Sequence, residues 1–294
     1  MRRLLSAALT ALIFLLVPLS ALSVWASAEV GDTDRYVAAM APLAGDTAVQ
    51  NAVADRVTDE VMKNIDAGPI QSGVQDLVRQ AVLSFAGSDA FQTAWNTVNR
   101  VAHAAVDKAL SSGNGDDVVI DLAPVTERVK QELTDQGVPF ADNIPVEHTE
   151  VTVMTSDKLG ELRDSYRWLR IAGVWLPVLT LVLAALAVLV AGAGRRRRAV
   201  TWLGVATALG AVLLLVGVAV ARPLALDDLP ADVDRAAAGA VYDALTAFLR
   251  TAGWVTLALG VAVVLAAWLT GRLRNRTQPP GEAVRPPDRA HLTA

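Results

Sequence analysis

Asn99, His103 and Asp107 recur every four residues, a spacing that places them on one helix face with Trp95. A histidine and an aspartate one turn apart can hold a metal, or the carboxylate can orient the imidazole as a base. No third strong ligand stands nearby in the sequence. The expectation is therefore a helix surface with a histidine bonded to a neighbour, and His103 and Asp107 are weak metal candidates only. Asn114, Asp116 and Asp117, beside Gly113 and Gly115, suggest a cation loop, but an EF-hand alternates its ligands and ends in glutamate. A solvated turn is expected there. His148 stands between Glu147 and Glu150 at the start of an alternating segment. Strand alternation sends Glu147 and His148 to opposite faces, so no joint site is expected.

Other chemistries lack their motifs. There is no P-loop, no GxSxG elbow, no HExxH and no GxGxxG opening a helix. Cysteine is absent, which removes disulfides, thiolate nucleophiles and zinc–cysteine sites. The expectation is a protein that is not an enzyme, with no cofactor.

The elements that would position these residues follow from periodicity. Residues 29–167 carry 23 acidic and 11 basic side chains, a balance that argues against nucleic-acid binding. Four amphipathic helices are expected in their first part. Tyr36, Met40 and Leu43 mark the first; Val49, Val53, Val57, Val61 and Ile65 mark the second. Ile70, Val74, Leu77, Val78, Ala81, Val82 and Phe85 mark the third, and Phe91, Trp95, Val98, Ala102, Ala105 and Val106 the fourth. Each stripe asks for a buried partner face. Gly45-Asp46, Gly68-Pro69 and Gly87-Ser88-Asp89 punctuate them, and Asp89 with Gln92 fits a capping box. Further on, Val118-Val119-Ile120 reads as a strand, Val125, Val129 and Leu133 as a helix face, and residues 149–155 as a second, alternating strand. Strand, helix, strand predicts a small βαβ unit with parallel strands.

Four apolar runs complete the chain, which is 53% hydrophobic. They are expected as transmembrane helices at 4–28, 168–193, 200–221 and 251–270. The first reads as a retained signal anchor or, through Ala26-Ser27-Ala28, as a cleaved signal peptide. Its length exceeds an ordinary signal-peptide core, which favours the anchor. The second is expected to continue a helix that starts near Asp157, with Pro177 inside it. Asp228 and Pro230 are expected to start an amphipathic helix within 222–250, with Val233, Ala237, Val241, Leu245 and Phe248 on its apolar face. Ala206/Gly210 and Gly217/Ala221 have the small-xxx-small spacing of closely packed helices.

Arginine sets the orientation. Arg2 and Arg3 precede the first run, Arg195, Arg196, Arg197 and Arg198 fill the 194–199 loop, and Arg272, Arg274 and Arg276 follow the fourth run. By the positive-inside bias, both termini and that loop are cytoplasmic, and residues 29–167 are extracytoplasmic. The same arginines face anionic lipid. The tail from residue 271, with Pro279, Pro280, Pro286 and Pro287, is expected to be disordered.

The stretches VGDTDRYV from Val30, ADRVTDE from Ala54, FQTAWNTVNRVAH from Phe91, IDLAPV from Ile120 and Ser156 to Leu169 resemble a family of four-span integral membrane proteins of actinobacteria. The resemblance implies the topology and carries no catalytic residue, substrate or cofactor. The expected fold is a mainly α membrane protein: four transmembrane helices and an extracytoplasmic α-helical domain containing the small βαβ element. The expected role is non-enzymatic, an acidic interaction domain displayed at a bacterial cytoplasmic membrane as scaffold, accessory subunit or sensor. A subunit of a transport or export complex is the alternative, and an envelope enzyme using His103 comes third. The spans carry no Asp, Glu, Lys or His, which counts against transport by this chain alone. Expected partners are membrane lipids and envelope or membrane proteins, with a homo-oligomer as one form.

Overall fold

The computed structural model describes residues 2–63, 68–111, 118–121, 123–135, 137, 146, 150–154, 156–191 and 196–276. The chain enters as α1 (Arg2–Trp25), which passes through Pro18 and ends in a π-helical turn, Ala26–Val30. A head of helices follows: α2 (Thr33–Met40), a 3-10 turn (Ala41–Gly45), α3 (Thr47–Met62), α4 (Gln71–Ala86) and α5 (Asp89–Ser111). Next come β1 (Val118–Asp121), α6 (Ala123–Asp135) and β2 (Glu150–Met154). The chain closes with α7 (Ser156–Val190), α8 (Arg196–Asp227), α9 (Arg235–Leu245) and α10 (Ala247–Arg276).

Polar side chains start the head helices. Asp32 accepts from the Arg35 N–H at 3.0 Å, and Asp46 accepts from Ala48 and Val49 at 2.9 and 3.2 Å. At α5 the cap is Ser88, whose hydroxyl accepts from the Phe91 N–H at 3.2 Å. Asp89 already lies inside the helix, so the expected Asp89–Gln92 box is not formed; Ser88, one residue earlier, caps the helix without a reciprocal side chain, because Phe91 stands three residues on. Likewise, α9 is capped by Asp234, which accepts from Ala237 at 2.7 Å, while Asp228 and Pro230 sit in the preceding turn. Asp228 fails as a cap because α8 continues through Pro223 to Asp227, beyond the expected end at 221.

The expected parallel βαβ unit is not formed. β1 and β2 pair antiparallel, with Val119 opposite Thr152, Ile120 opposite Val151 and Asp121 opposite Glu150. A right-handed crossover needs its helix laid over the sheet. Here α6 packs along α5, and the two strands meet antiparallel across the connection that holds it.

Four helices are long and apolar enough to cross a membrane: Ala8–Glu29, Ile171–Val190, Arg196–Asp227 and Ala247–Thr270. Their contacts set their directions. Gly210 of α8 meets the Phe14 carbonyl and Val17 of α1, and Leu214 and Val218 pack with Ala21 and Trp25, so α1 and α8 run parallel. Ser20 bonds to Thr180 at 2.9 Å and Gly173 lies on Ser27, so α7 runs opposite to α1. Gly204 meets Gly260, and Leu215 meets Gly253, so α10 runs opposite to α8. The starts of α1 and α8 and the ends of α7 and α10 therefore share one end of the bundle. Most of the contact is between α8 and α10, α1 and α7, and α1 and α8, so α7 and α10 are the peripheral members. Of the two small-residue pairs, Ala206 and Gly210 are buried in this bundle, whereas Gly217 has open space around it and Ala221 is exposed.

The core of the head is Met40, Leu43 and Val49, joined to Ala44, Ala86 and Phe91 through Val53 and Trp95. Gln50 ties the second group together, its side-chain amide donating to the Ala44 and Ala86 carbonyls at 2.8 and 2.9 Å. Thr58 is buried at 2% exposure, and its hydroxyl has no hydrogen-bond partner among the described residues. An orphaned buried hydroxyl costs about 1–3 kcal/mol. Thr58→Val keeps the shape and removes the orphan, so denaturant unfolding is expected to show a gain of about 1 kcal/mol.

Candidate functional site

The residues singled out for chemistry divide into those that are packed and those outside the described residues. His103 extends from α5 to α2, where its Nδ1 lies 3.0 Å from the Thr33 hydroxyl. Its ring stacks on Tyr36 at 4.4 Å between centroids. Asn99 turns back on its own helix, donating to the Trp95 carbonyl at 2.8 Å. Asp107 is half-buried one turn beyond His103. Among the described residues no group of three His, Cys, Asp or Glu side chains could hold a metal. The Asn114, Asp116 and Asp117 loop lies outside the described residues, as do Glu147 and His148; Glu150 opens β2.

Burial holds the Tyr36 phenol above its ordinary value of 10.0. The folded state thus binds that proton more tightly than the unfolded chain. The associated stability is fully present below about pH 10 and is lost as pH rises through the folded value. Tyr36→Phe is expected to reduce the alkaline loss of melting temperature above pH 10. An unchanged alkaline slope would count against a buried phenol at this position.

The structure assembles a second constellation that the sequence did not suggest. α9 packs on α2 and α3 of the head and also on α8 and α10 of the bundle. Its Ala237, Ala240, Val241, Ala244 and Leu245 close the Met40–Leu43–Val49 core. Its opposite edge is fastened by polar bonds. Tyr242 donates its hydroxyl to the Val218 carbonyl at 2.7 Å, and Trp25 of α1 donates its indole N–H to the Leu245 carbonyl at 2.7 Å. Arg222 of α8 makes a two-point bond to Asp243, with Nε and Nη2 donating to the two carboxylate oxygens at 3.2 and 3.1 Å. Arg250 of α10 lies 3.3 Å from the same carboxylate and also donates to the Asp243 carbonyl. Gly239 makes room for the Arg222 guanidinium, since a Cβ there would stand 2.9 Å from Nη2. α9 is thus a clasp between head and bundle, fastened to three of the four long apolar helices.

The surface of the head is covered unevenly. α4 buries only Ala86. Leu77 stays 71% exposed and Ile70 67%, while Val57 and Val61 of neighbouring α3 stay 39% and 38% exposed. The stripe on α4, expected to need a buried face, is only half covered among the described residues.

At the other end of the bundle stand the basic residues. Arg2 and Arg3 begin α1, and Arg196, Arg197 and Arg198 begin α8, all three exposed. Arg195 lies outside the described residues. Arg272, Arg274 and Arg276 occupy the last turns of α10, which stays helical past the expected boundary at 270; the tail from 277 lies outside the described residues. The Arg272 guanidinium sits over the Trp268 ring at 4.3 Å.

Compared with known proteins, the chain matches no family model, no curated protein and no solved structure.

Proposed function

We propose that this chain is a non-enzymatic, multi-pass protein of a bacterial cytoplasmic membrane, of the four-span actinobacterial kind. It holds an acidic helical head outside the cell as an interaction module. The observation that carries this reading is the half-covered α3–α4 surface. Ile70 and Leu77, with Val57 and Val61 on the neighbouring helix, leave apolar area in water on the head, Ile70 and Leu77 by the largest fractions. Apolar side chains left exposed together on neighbouring helices are what a protein contact would cover. The α9 clasp supports the same reading, because it couples the head to the bundle as a scaffold or sensor requires. His103, held against Thr33 and Tyr36, has a packing role in this account.

The second reading, a subunit of a transport or export complex, draws on α7. Trp168, Trp175, Leu181 and Leu189 are each more than 60% exposed, so this peripheral helix has room for a neighbouring membrane protein. A homo-oligomer would use the same face.

The test is co-purification in mild detergent, comparing the native chain with Ile70→Asp/Leu77→Asp. Both positions are exposed, so the variant is expected to fold. A stable partner that is retained by the native chain and lost from the variant supports the interaction role. Retention by both moves the contact to α7, and a lone monodisperse monomer counts against both readings.

A further inference from the structure

The groove between α8 and α10 at the arginine end of the bundle has a composition that selects an occupant. It is open, about 380 Å³ in volume, and walled by Val200 of α8 and by Val263, Ala266, Ala267 and Thr270 of α10, the Thr270 hydroxyl being bonded to the Ala266 carbonyl of its own helix. Arg196 and Arg197 line it at the start of α8. Among the described residues, no carboxylate pairs with either arginine or with Arg198. Two exposed guanidinium groups therefore stand over an apolar trough without a counter-ion from the described chain.

The surroundings give its depth. Trp202 follows shortly after Val200 on α8, and Trp268 follows Ala267 on α10, exposed at 53% and 52%. Tryptophan on a membrane helix marks the level of the headgroups. From Arg198 to Arg222 along α8 is 24 residues, about 36 Å, slightly more than the ~30 Å hydrocarbon core. Arg196 and Arg197 thus sit at headgroup height on one side, and the groove runs from the tryptophan level, at Val200 and Ala267, inward past Ala266 to Val263 at the start of the acyl-chain region. Arginine presents a planar fork of donors that matches a phosphate oxygen pair. A molecule that satisfies both parts has an anionic phosphate head and a hydrocarbon chain.

We propose that this groove is a site for one anionic phospholipid, its phosphate held by Arg196 and Arg197 and one acyl chain lying along Val200, Val263, Ala266 and Ala267. This goes beyond diffuse attraction of a polybasic loop to a charged surface, because position as well as charge decides. The inference rests on the membrane reading above.

Native mass spectrometry of the full chain, released from mild detergent with added phosphatidylglycerol or phosphatidylcholine, tests it. One phosphatidylglycerol per chain is expected to stay bound at least tenfold more tightly than phosphatidylcholine. Arg196→Gln/Arg197→Gln is expected to lose that tenfold preference. Arg198→Gln/Arg272→Gln removes the same charge outside the groove and is expected to change it less than twofold. Ala267→Phe, which fills the trough without touching charge, is expected to weaken phosphatidylglycerol as well. Equal losses from the two arginine pairs would overturn the proposal in favour of diffuse charge. Equal retention of the two lipids would overturn it in favour of unselective lipid contact. Displacement of the lipid by millimolar inorganic phosphate would overturn it in favour of a free-phosphate site. A chain that stays monodisperse without detergent would defeat the membrane reading itself, a result distinct from all of these.

Discussion

Gly260→Ala is expected to destabilise the bundle by about 1–3 kcal/mol, the range for forcing atoms into a well-packed contact. A Cβ on Gly260 would lie 2.8 Å from the Ala208 backbone nitrogen and 2.9 Å from the Gly204 carbonyl oxygen. Both are backbone atoms of the facing helix, so neither can rotate away. The contact is reciprocal, because a Cβ on Gly204 would stand 2.9 Å from the Gly260 carbonyl oxygen. Relief requires α8 and α10 to separate along the most extensive contact of the fold. Gly217 of α8, on the helix that faces Gly260, is the control. Nothing lies within 4 Å of its added Cβ. There alanine only restricts the unfolded chain, and a gain of at most about 1 kcal/mol is expected. Unfolding of the two variants by denaturing detergent, followed by circular dichroism, reads both signs. Equal effects would mean that α8 and α10 do not meet at Gly204 and Gly260.

Trp95→Ala is expected to cost the head about 3 kcal/mol or more, the range for truncating a large aromatic in a core. Trp95 joins two apolar groups that otherwise share only Val53. Its ring lies 6.1 Å from that of Phe91, and its indole N–H donates to the Met40 carbonyl at 2.9 Å. Removal opens a cavity between α2, α3 and α5 and leaves that carbonyl without its indole donor. Trp95→Phe keeps most of the apolar area and loses the bond, so a cost nearer 1 kcal/mol is expected. Amide exchange separates the two: alanine should deprotect α2 and α3 together, while phenylalanine should affect the end of α2 alone. Equal protection in both variants would contradict this account of the core.

The helices were legible because each carries its own period. The Val49–Val61 and Phe91–Val106 stripes lie within α3 and α5. Direction and partnership were less legible. Alternation at 149–155 identifies a strand but says nothing about its polarity, which depends on how the connection through α6 returns the chain. Adjacent cap-forming residues such as Ser88 and Asp89 give nearly the same signal, and one position separates the expected cap from the real one. The apolar face of α9 was visible, but nothing near it names Met40 and Leu43, almost two hundred residues earlier, as its cover. For the same reason the sequence does not bring Arg222 and Arg250 to Asp243, or Gly204 to Gly260. Of the candidate site, His103 was recognisable as part of a helix face, while Thr33 and Tyr36 are supplied by a different helix. The arginine clusters, scattered along the chain, fall at one end of the bundle because parallel α1 and α8 begin there and α10 ends there.

The central claim is that the head and the arginine end face opposite sides of one membrane. The chain has no cysteine, so single cysteines report position without background. Gln92→Cys lies on the exposed face of α5 in the head, and Arg198→Cys lies at the start of α8. In intact cells a membrane-impermeant maleimide is expected to label the cysteine at 92 and to reach the one at 198 only after lysis. Labelling of both in intact cells, or of position 198 alone, would contradict the account.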